Sequence, residues 1–174
     1  MEGKQLTTKT RRTMLVALTF SLIGDILLMF DNVSSNYFLT GLASFLIAHF
    51  MYIMVFLEKR NNLLKPIPFI ALLLVYALGF LYLLFDGLGY MFLPVVIYVL
   101  AILTMAITAS LRKGNVPTIS YNLVLVGAIL FVISDSFIAI NKFYSALPNE
   151  HVMIMSTYAL AQYCIVMGII KQKN

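Results

Sequence analysis

Apolar residues form long runs in this chain, and the polar residues between the runs come in short clusters. A helix needs about 20 apolar residues to cross a hydrocarbon core of about 30 Å. The interruptions hold residues typical of turns and helix ends, such as Asp86-Gly87 and Pro117. The pattern predicts six membrane-spanning helices, at residues 13–30, 36–57, 67–85, 89–110, 118–140 and 150–170.

Short interruptions force neighbouring helices to run antiparallel. We therefore expect an all-α fold in which residues 1–174 form one domain, a polytopic transmembrane helix bundle. Composition agrees, because 61% of the residues are hydrophobic and only 11% are charged, whereas a soluble domain has about 25% charged residues. A soluble protein is excluded, and the bilayer is an expected partner.

The positions of the cationic residues predict how the helices are oriented in the membrane. All but one of the lysines and arginines fall on one side of the predicted bundle, and only Lys142 falls on the other. By the positive-inside rule both termini face the cytoplasm, and we expect a bacterial inner membrane. The net charge of +5 then follows from topology, so no nucleic acid partner is expected. The residues on the cytoplasmic side are Lys4, Lys9, Arg11, Arg12, Lys59, Arg60, Lys65, Arg112, Lys113, Lys171 and Lys173. The first helix lacks a small-residue cleavage site, so we expect it to remain as an anchor.

Asp25 and Asp135 are the only two formal charges that this pattern does not place in water. An ionisable group at membrane depth is costly and therefore indicates function. Each lies five residues before a predicted outer helix end, Phe30 or Ile140, which is about 8 Å at 1.5 Å per residue. The two carboxylates are therefore expected to share a level and a site.

Two stretches of the sequence resemble each other. Phe20 to Asp25 is similar to Phe131 to Asp135, and Phe45 to Phe50 is similar to Tyr158 to Tyr163. Since both pairs of helices run in the same sense, the similarity predicts a parallel internal repeat of helices one and two with helices five and six. His49 and Gln162 would then be a second equivalent pair.

Other polar side chains share helix faces with the aspartates. They are too many for lipid-facing positions, so we expect them to converge inside the bundle and orient substrate or water. For the histidine the alternative is a neutral imidazole that bridges helices, and for the tyrosines and the glutamine it is a hydrogen-bonded side chain in a packed membrane interior. The residues are Ser21, His49, Tyr52, Tyr98, Ser134, Tyr158 and Gln162. At the outer rim, Lys142 is a candidate for a lipid phosphate, the alternative being an interfacial anchor.

Two acids that share a buried site hold one proton between them, which gives an acid and a base in one place. Such a pair suits hydrolysis of an acid-labile bond. The sequence has no serine nucleophile elbow. One membrane histidine and two aspartates barely reach the three ligands of a zinc site, so neither a metal nor another cofactor is expected.

Several elements resemble the YhhN-like lysoplasmalogenase family. They are Phe20-Ser-Leu-Ile-Gly-Asp25, Gly41 to Tyr52, Pro94-Val-Val-Ile-Tyr98, Gly127 to Asp135 and Thr157 to Gln162. The resemblance implies hydrolysis of the vinyl ether bond of a lysophospholipid substrate, a lysoplasmalogen, to a fatty aldehyde and a glycerophospho-base. It also implies that Asp25 and Asp135 are the catalytic pair.

Members of that family resemble eight-helix proteins with two further helices before the Gly-Asp element. We therefore expect a shortened relative or a start at an internal methionine. Two other functions remain open from the residues alone. A proton-coupled transporter of small molecules or lipids would also use membrane carboxylates, and a lipid-binding or structural protein would use them as hydrogen-bonding groups between helices.

Overall fold

The computed structural model describes residues 6–172, and Lys4 and Lys173 lie outside this range. The described residues contain α-helices and no strand, which confirms the all-α class. The helices are α1 (Thr8–Leu28), α2 (Ser35–Leu57), α3 (Ile67–Leu88), α4 (Phe92–Ser110), α5 (Thr118–Phe143) and α6 (Glu150–Ile170). A single 3-10 turn, Gly89–Met91, joins α3 to α4.

The helix ends follow from local chemistry. The Thr7 hydroxyl accepts a hydrogen bond from the Thr10 N–H and caps α1, and Ser34 caps α2 in the same way. Pro66 and Pro117 precede α3 and α5, where a missing N–H has no cost. Asn149 precedes α6 in the left-handed conformation, at φ 53°.

The break between α3 and α4 differs from the predicted one. Asp86 and Gly87, which the sequence placed in a turn, lie inside α3. The chain turns instead at Gly89, whose φ of +47° is a conformation that favours glycine. The break is therefore three residues later than the end predicted at residue 85.

The number of membrane spans also differs from the prediction. By length and composition, four segments of the described chain could cross a membrane: Ser35–Leu57, Ile67–Ser110, Thr118–Phe143 and Glu150–Ile170. The second segment contains both α3 and α4. Helix α1 is not among the four, because it includes the charges of Lys9, Arg11, Arg12 and Asp25. The chain is therefore a multi-pass helical membrane protein, but six separate spans are not supported.

Helix packing places α4 at the centre of the bundle. Helix α1 packs against α2, and α5 packs against α6. Helix α4 contacts both α2 and α5, and α3 packs on the outside of α4 and α5. The close contact between α5 and α6 depends on glycine, because a Cβ at Gly127 would lie 2.9 Å from the carbonyl oxygen of Ala161.

One cationic residue of a predicted loop is kept from water. Arg112 lies between α4 and α5, as predicted, but it is 0% exposed. Its Nη2 donates to Gln172 Oε1 at 2.8 Å and to Ser120 Oγ at 3.3 Å, and its guanidinium lies 5.7 Å from the ring centroid of Phe56. Burial lowers the pKa of Arg112 to about 10, so the group remains charged at neutral pH. The aspartates are therefore not the only charges kept from water.

Candidate functional site

Asp135 on α5 is paired with a tyrosine of α4. The Tyr98 hydroxyl donates a hydrogen bond to Asp135 Oδ2. Tyr98 is buried, and the His49 ring of α2 packs on it edge to face, with the centroids 5.2 Å apart. Three helices thus meet at this carboxyl group.

Asp25 on α1 has a different set of partners. The Tyr158 hydroxyl of α6 donates to Asp25 Oδ2 at 2.9 Å, and Gln162 Nε2 donates to the Tyr158 oxygen at 3.1 Å. The Tyr52 hydroxyl of α2 donates to Gln162 Oε1 at 2.5 Å. These bonds form a continuous chain from Tyr52 to Asp25, in which each donor points toward the next group and the carboxylate is the final acceptor.

Ring contacts connect the two aspartate neighbourhoods. Phe131 packs on His49 at 4.9 Å and on Tyr158 at 5.4 Å, both edge to face. Because His49 also contacts Tyr98, an unbroken series of rings runs from the partner of Asp135 to the partner of Asp25. His49 is 0% exposed, and neither of its ring nitrogens has a hydrogen-bond partner among the described residues.

An apolar cavity lies between α2, α3, α4 and α5. Its wall includes Leu28, Phe38, Phe45, Val95, Ile102 and Phe143. Asp135, Tyr98, Tyr76 and Ser136 are the polar side chains that line it. At the end of the cavity beside the last turn of α5, the rings of Phe38 and Phe143 meet edge to face at 5.5 Å. The cavity wall is thus mainly apolar, with one carboxyl group in it.

Asp25 does not line this cavity but lies close behind its wall. Leu28, one helical turn after Asp25 on the same face of α1, does line it. So does Phe45, which packs on Tyr158 at 5.9 Å and lies so close to Gly24 that a Cβ there would be 2.6 Å from the ring. Phe45 therefore separates the cavity from the Tyr158–Asp25 contact.

The two aspartates lie at different distances from the ends of their helices, and their equal depth in the membrane stays a prediction. Asp25 lies three residues before the end of α1, and Asp135 lies eight residues before the end of α5. These offsets are about 4 Å and 12 Å along the helix axes. The sequence placed both at 8 Å because it ended α1 two residues too late and α5 three residues too early.

The predicted internal repeat is not supported either. Asp25 accepts from a tyrosine of α6 and Asp135 from a tyrosine of α4, so the two carboxylates do not have equivalent partners. His49 is packed among rings without a hydrogen bond, whereas Gln162 has two. The similar stretches of sequence around Asp25 and Asp135 therefore have different contacts in the structure.

The remaining predicted residues lie apart from the cavity wall. Ser21 is buried, and its hydroxyl has no partner within residues 6–172. Ser134 donates to the Ile154 carbonyl at 3.1 Å and holds α5 to α6. Lys142 forms an ion pair with Asp31 at 2.9 Å and lies 5.3 Å from the centroid of the Phe38 ring. Lys142 is thus near the Phe38–Phe143 end of the cavity, and its ammonium group is already paired with a carboxylate.

Sequence reasoning missed Tyr76 and Ser136, which hydrogen-bond to each other across the cavity wall. Tyr76 occurs in an apolar stretch of α3 with no other polar residue nearby in sequence. Ser136 follows Asp135 directly, and this adjacency is the one signal that could have found it.

Comparison with known proteins identifies the family. The sequence model of the YhhN family matches residues 3–169, and the chain belongs to that family. It is 30% identical over 161 residues to human lysoplasmalogenase TMEM86A, covering 91% of this chain and 65% of the relative. The bovine protein of the same name is 29% identical over 174 residues, covering 99% and 71%.

A bacterial relative shows similar agreement. Lysoplasmalogenase of Mycobacterium tuberculosis is 31% identical over 165 residues, which is 92% of this chain and 61% of that protein. The chain thus spans about two thirds of the length of these relatives. No solved structure matches it.

Proposed function

We propose that this protein is a membrane-embedded hydrolase that cleaves the vinyl ether bond of lysoplasmalogens. The observation that carries the proposal is the apolar cavity with the Asp135 carboxyl group in its wall. A lysoplasmalogen has one long alkenyl chain whose reactive bond lies at the polar end, and such a cavity would hold that chain against an acid. Relatives that carry the name lysoplasmalogenase support the same reaction.

Vinyl ether hydrolysis needs a proton donor and a water molecule. The donor protonates the β-carbon, which leaves an oxocarbenium ion at the carbon bonded to oxygen. Water adds to that carbon and loses a proton, giving a hemiacetal. The hemiacetal collapses when its hydroxyl loses a proton and the bond to the glycerol oxygen breaks with protonation of that oxygen, releasing the fatty aldehyde and the glycerophospho-base. The protons given and taken balance.

The two aspartates would divide these tasks. Asp135 lines the cavity, so it is the donor that could reach the alkenyl chain, with Tyr98 fixing its orientation. Asp25, at the end of the hydrogen-bonded chain from Tyr52, would stabilise the cation and accept the proton of water. Substrate or a rotation of Phe45 must open the wall between them. His49 and Tyr158 would orient water on the inner side.

Lys142 would bind the phosphate of the head group. It lies seven residues after Asp135 on α5, about 10 Å along the helix and on the same face. Seven bonds separate the β-carbon of the substrate from its phosphorus, which is about 9 Å when extended with ordinary bond lengths. A phosphate at Lys142 would therefore replace Asp31 as its partner. In this orientation both termini are cytoplasmic and the head group is on the opposite side, as the cation distribution favours.

The test uses purified protein in lipid vesicles and mass spectrometry of the released aldehyde. The unmodified protein should release fatty aldehyde from a lysoplasmalogen, and Asp135→Asn and Asp25→Asn should each reduce the rate by about 100-fold or more, the usual contribution of a general acid or base. Asp86→Asn is the matched control, since Asp86 is exposed. Full activity in either aspartate variant would contradict the shared mechanism. Absence of aldehyde from the unmodified protein would contradict the function itself.

A further inference from the structure

The hydroxyl pair of Tyr76 and Ser136 forms a second polar feature of the cavity. Tyr76 is on α3 and Ser136 on α5, and their hydroxyl oxygens are hydrogen-bonded. Both side chains line the same cavity as Asp135. Among residues 6–172, the rest of the wall is apolar apart from Tyr98 and Asp135. This pair and the Tyr98–Asp135 pair are therefore the two places where those residues can make hydrogen bonds to a ligand.

The direction of the hydrogen bonds can be assigned from the partners. Ser136 Oγ donates its one hydrogen to the Val132 carbonyl at 2.5 Å. A hydroxyl has a single donor hydrogen and two acceptor lone pairs, so the bond between the two side chains must have Tyr76 as its donor. Both hydrogens are then used. The pair can still accept a hydrogen bond, but it has no hydrogen left to donate.

A pair that only accepts selects a ligand that donates. Ester carbonyls and ether oxygens have no hydrogen to give, whereas a hydroxyl has one. A lysoplasmalogen carries a free hydroxyl at the sn-2 carbon, next to the carbon that bears the vinyl ether. That hydroxyl is five bonds from the β-carbon that takes the proton. Ser136 is the neighbour of Asp135, with consecutive Cα atoms about 3.8 Å apart, so both groups of the substrate could be met at once.

We propose that Tyr76 and Ser136 bind the free sn-2 hydroxyl of the substrate and make the protein specific for lysolipids over lipids acylated at that position. The inference rests on the proposed function and extends it to specificity. Removing the hydroxyl from the substrate leaves these two acceptors of the cavity wall without their donor, and a site built to hydrogen-bond a substrate hydroxyl rejects the analogue that lacks it.

The experiment compares two substrates on the same protein in lipid vesicles. One is a lysoplasmalogen and the other is its 2-deoxy analogue, in which hydrogen replaces the sn-2 hydroxyl. The unmodified protein should favour the first by about 10-fold or more in kcat/KM. In Tyr76→Phe, which removes the donor that orients Ser136, and in Ser136→Ala, that ratio should fall to about 3-fold or less. The ratio does not depend on how much of a variant is folded, because both substrates meet the same preparation.

Tyr82→Phe is the matched control, since Tyr82 is on the same helix and is 86% exposed. It should keep the unmodified ratio. An unchanged ratio in Tyr76→Phe, or equal losses on both substrates as expected if the pair positioned water, would overturn the inference. So would an unmodified protein that hydrolyses both substrates equally well, a result that leaves the proposed function intact. Only the release of no aldehyde from either substrate would overturn both.

Discussion

The Tyr158 hydroxyl of α6 donates a hydrogen bond to Asp25 of α1 at 2.9 Å. Helix α1 packs mainly on α2 and helix α6 mainly on α5, so this bond links the two outer pairs of helices. It also belongs to a chain of donors from Tyr52 through Gln162. Tyr158 therefore connects the two helix pairs and also belongs to the hydrogen-bonded chain that ends at Asp25.

Tyr158→Phe should reduce aldehyde release by about 10-fold, because it removes the donor that holds the Asp25 carboxylate and breaks the chain from Gln162. The loss of two hydrogen bonds, one to Asp25 and one from Gln162, should lower stability by about 1–3 kcal/mol, so rates are compared on the folded fraction. Rates and thermal unfolding of the same preparation check this. Tyr163→Phe, at a position 62% exposed on the same helix, is the control. Equal rates for the two variants would contradict a role for Tyr158.

Gly87→Ala should destabilise the protein strongly. A Cβ at Gly87 would lie 1.8 Å from the carbonyl oxygen of Phe143, so α3 and α5 must move apart near the Phe38–Phe143 end of the cavity. Overpacking of this kind costs about 1–3 kcal/mol. Thermal unfolding in detergent measures the difference.

Gly79→Ala is the matched control for that substitution. Gly79 is in the same helix, and a Cβ there would meet nothing within 4 Å. Alanine favours the helix over glycine by about 1 kcal/mol, so this variant should be as stable as the unmodified protein or more so. A lower unfolding temperature for Gly79→Ala than for Gly87→Ala would contradict the packing described at Phe143.

His49→Phe separates packing from chemistry. The imidazole is buried between the rings of Tyr98 and Phe131, and its nitrogens have no partner in residues 6–172. A phenyl ring fills the same space without a buried unpaired nitrogen, whose desolvation costs about 1–3 kcal/mol. We expect equal or higher stability and at least 10-fold slower aldehyde release, as measured on the folded fraction.

The same substitution at an exposed histidine, His151→Phe, controls for the change of residue type, since His151 lies at the exposed start of α6. It should alter neither quantity. If His49→Phe retained full activity, His49 would have a structural role only, through the ring contacts with Tyr98 and Phe131.

Much of the helical structure could be predicted from the apolar runs. The bounds of α6 agree with residues 150–170, and those of α2 differ by one residue. The break between α3 and α4 could not be placed, because Gly87 and Gly89 are two residues apart and only the second adopts positive φ. The lengths of the apolar runs likewise predicted two separate spans here, whereas α3 and α4 together form one apolar segment of 44 residues.

Contacts between site residues of one helix could be predicted from their spacing along the sequence. Tyr158 and Gln162, one turn apart, do hydrogen-bond to each other. The partners across helices were not predictable, since nothing in the sequence pairs Asp135 with Tyr98 and Asp25 with Tyr158. Tyr76 was missed for the same reason. The paired-aspartate mechanism itself stays a prediction.

Arg112→Ala should lower the free energy of unfolding by about 2–3 kcal/mol. It removes two hydrogen bonds, to Gln172 and Ser120, each typically about 1.5 kcal/mol or more when one partner is charged, and leaves space beside Phe56. Lys113→Ala, at the exposed next residue, should have no measurable effect. Chemical denaturation of both variants in detergent checks the prediction. Equal midpoints would show that the burial of Arg112 adds nothing to stability.

Lys142 and Asp31 should affect substrate binding in opposite directions. Lys142→Met removes the cation proposed to bind phosphate, so KM should rise by about 5-fold or more with little change in kcat, as expected for a contact that is the same in ground and transition states. Asp31→Asn frees the ammonium from its 2.9 Å partner, so KM should fall. Rates over a range of lysoplasmalogen concentrations in vesicles measure both. If Asp31→Asn raised KM as Lys142→Met does, the ion pair would be a structural contact beside Phe38, and the phosphate would bind elsewhere.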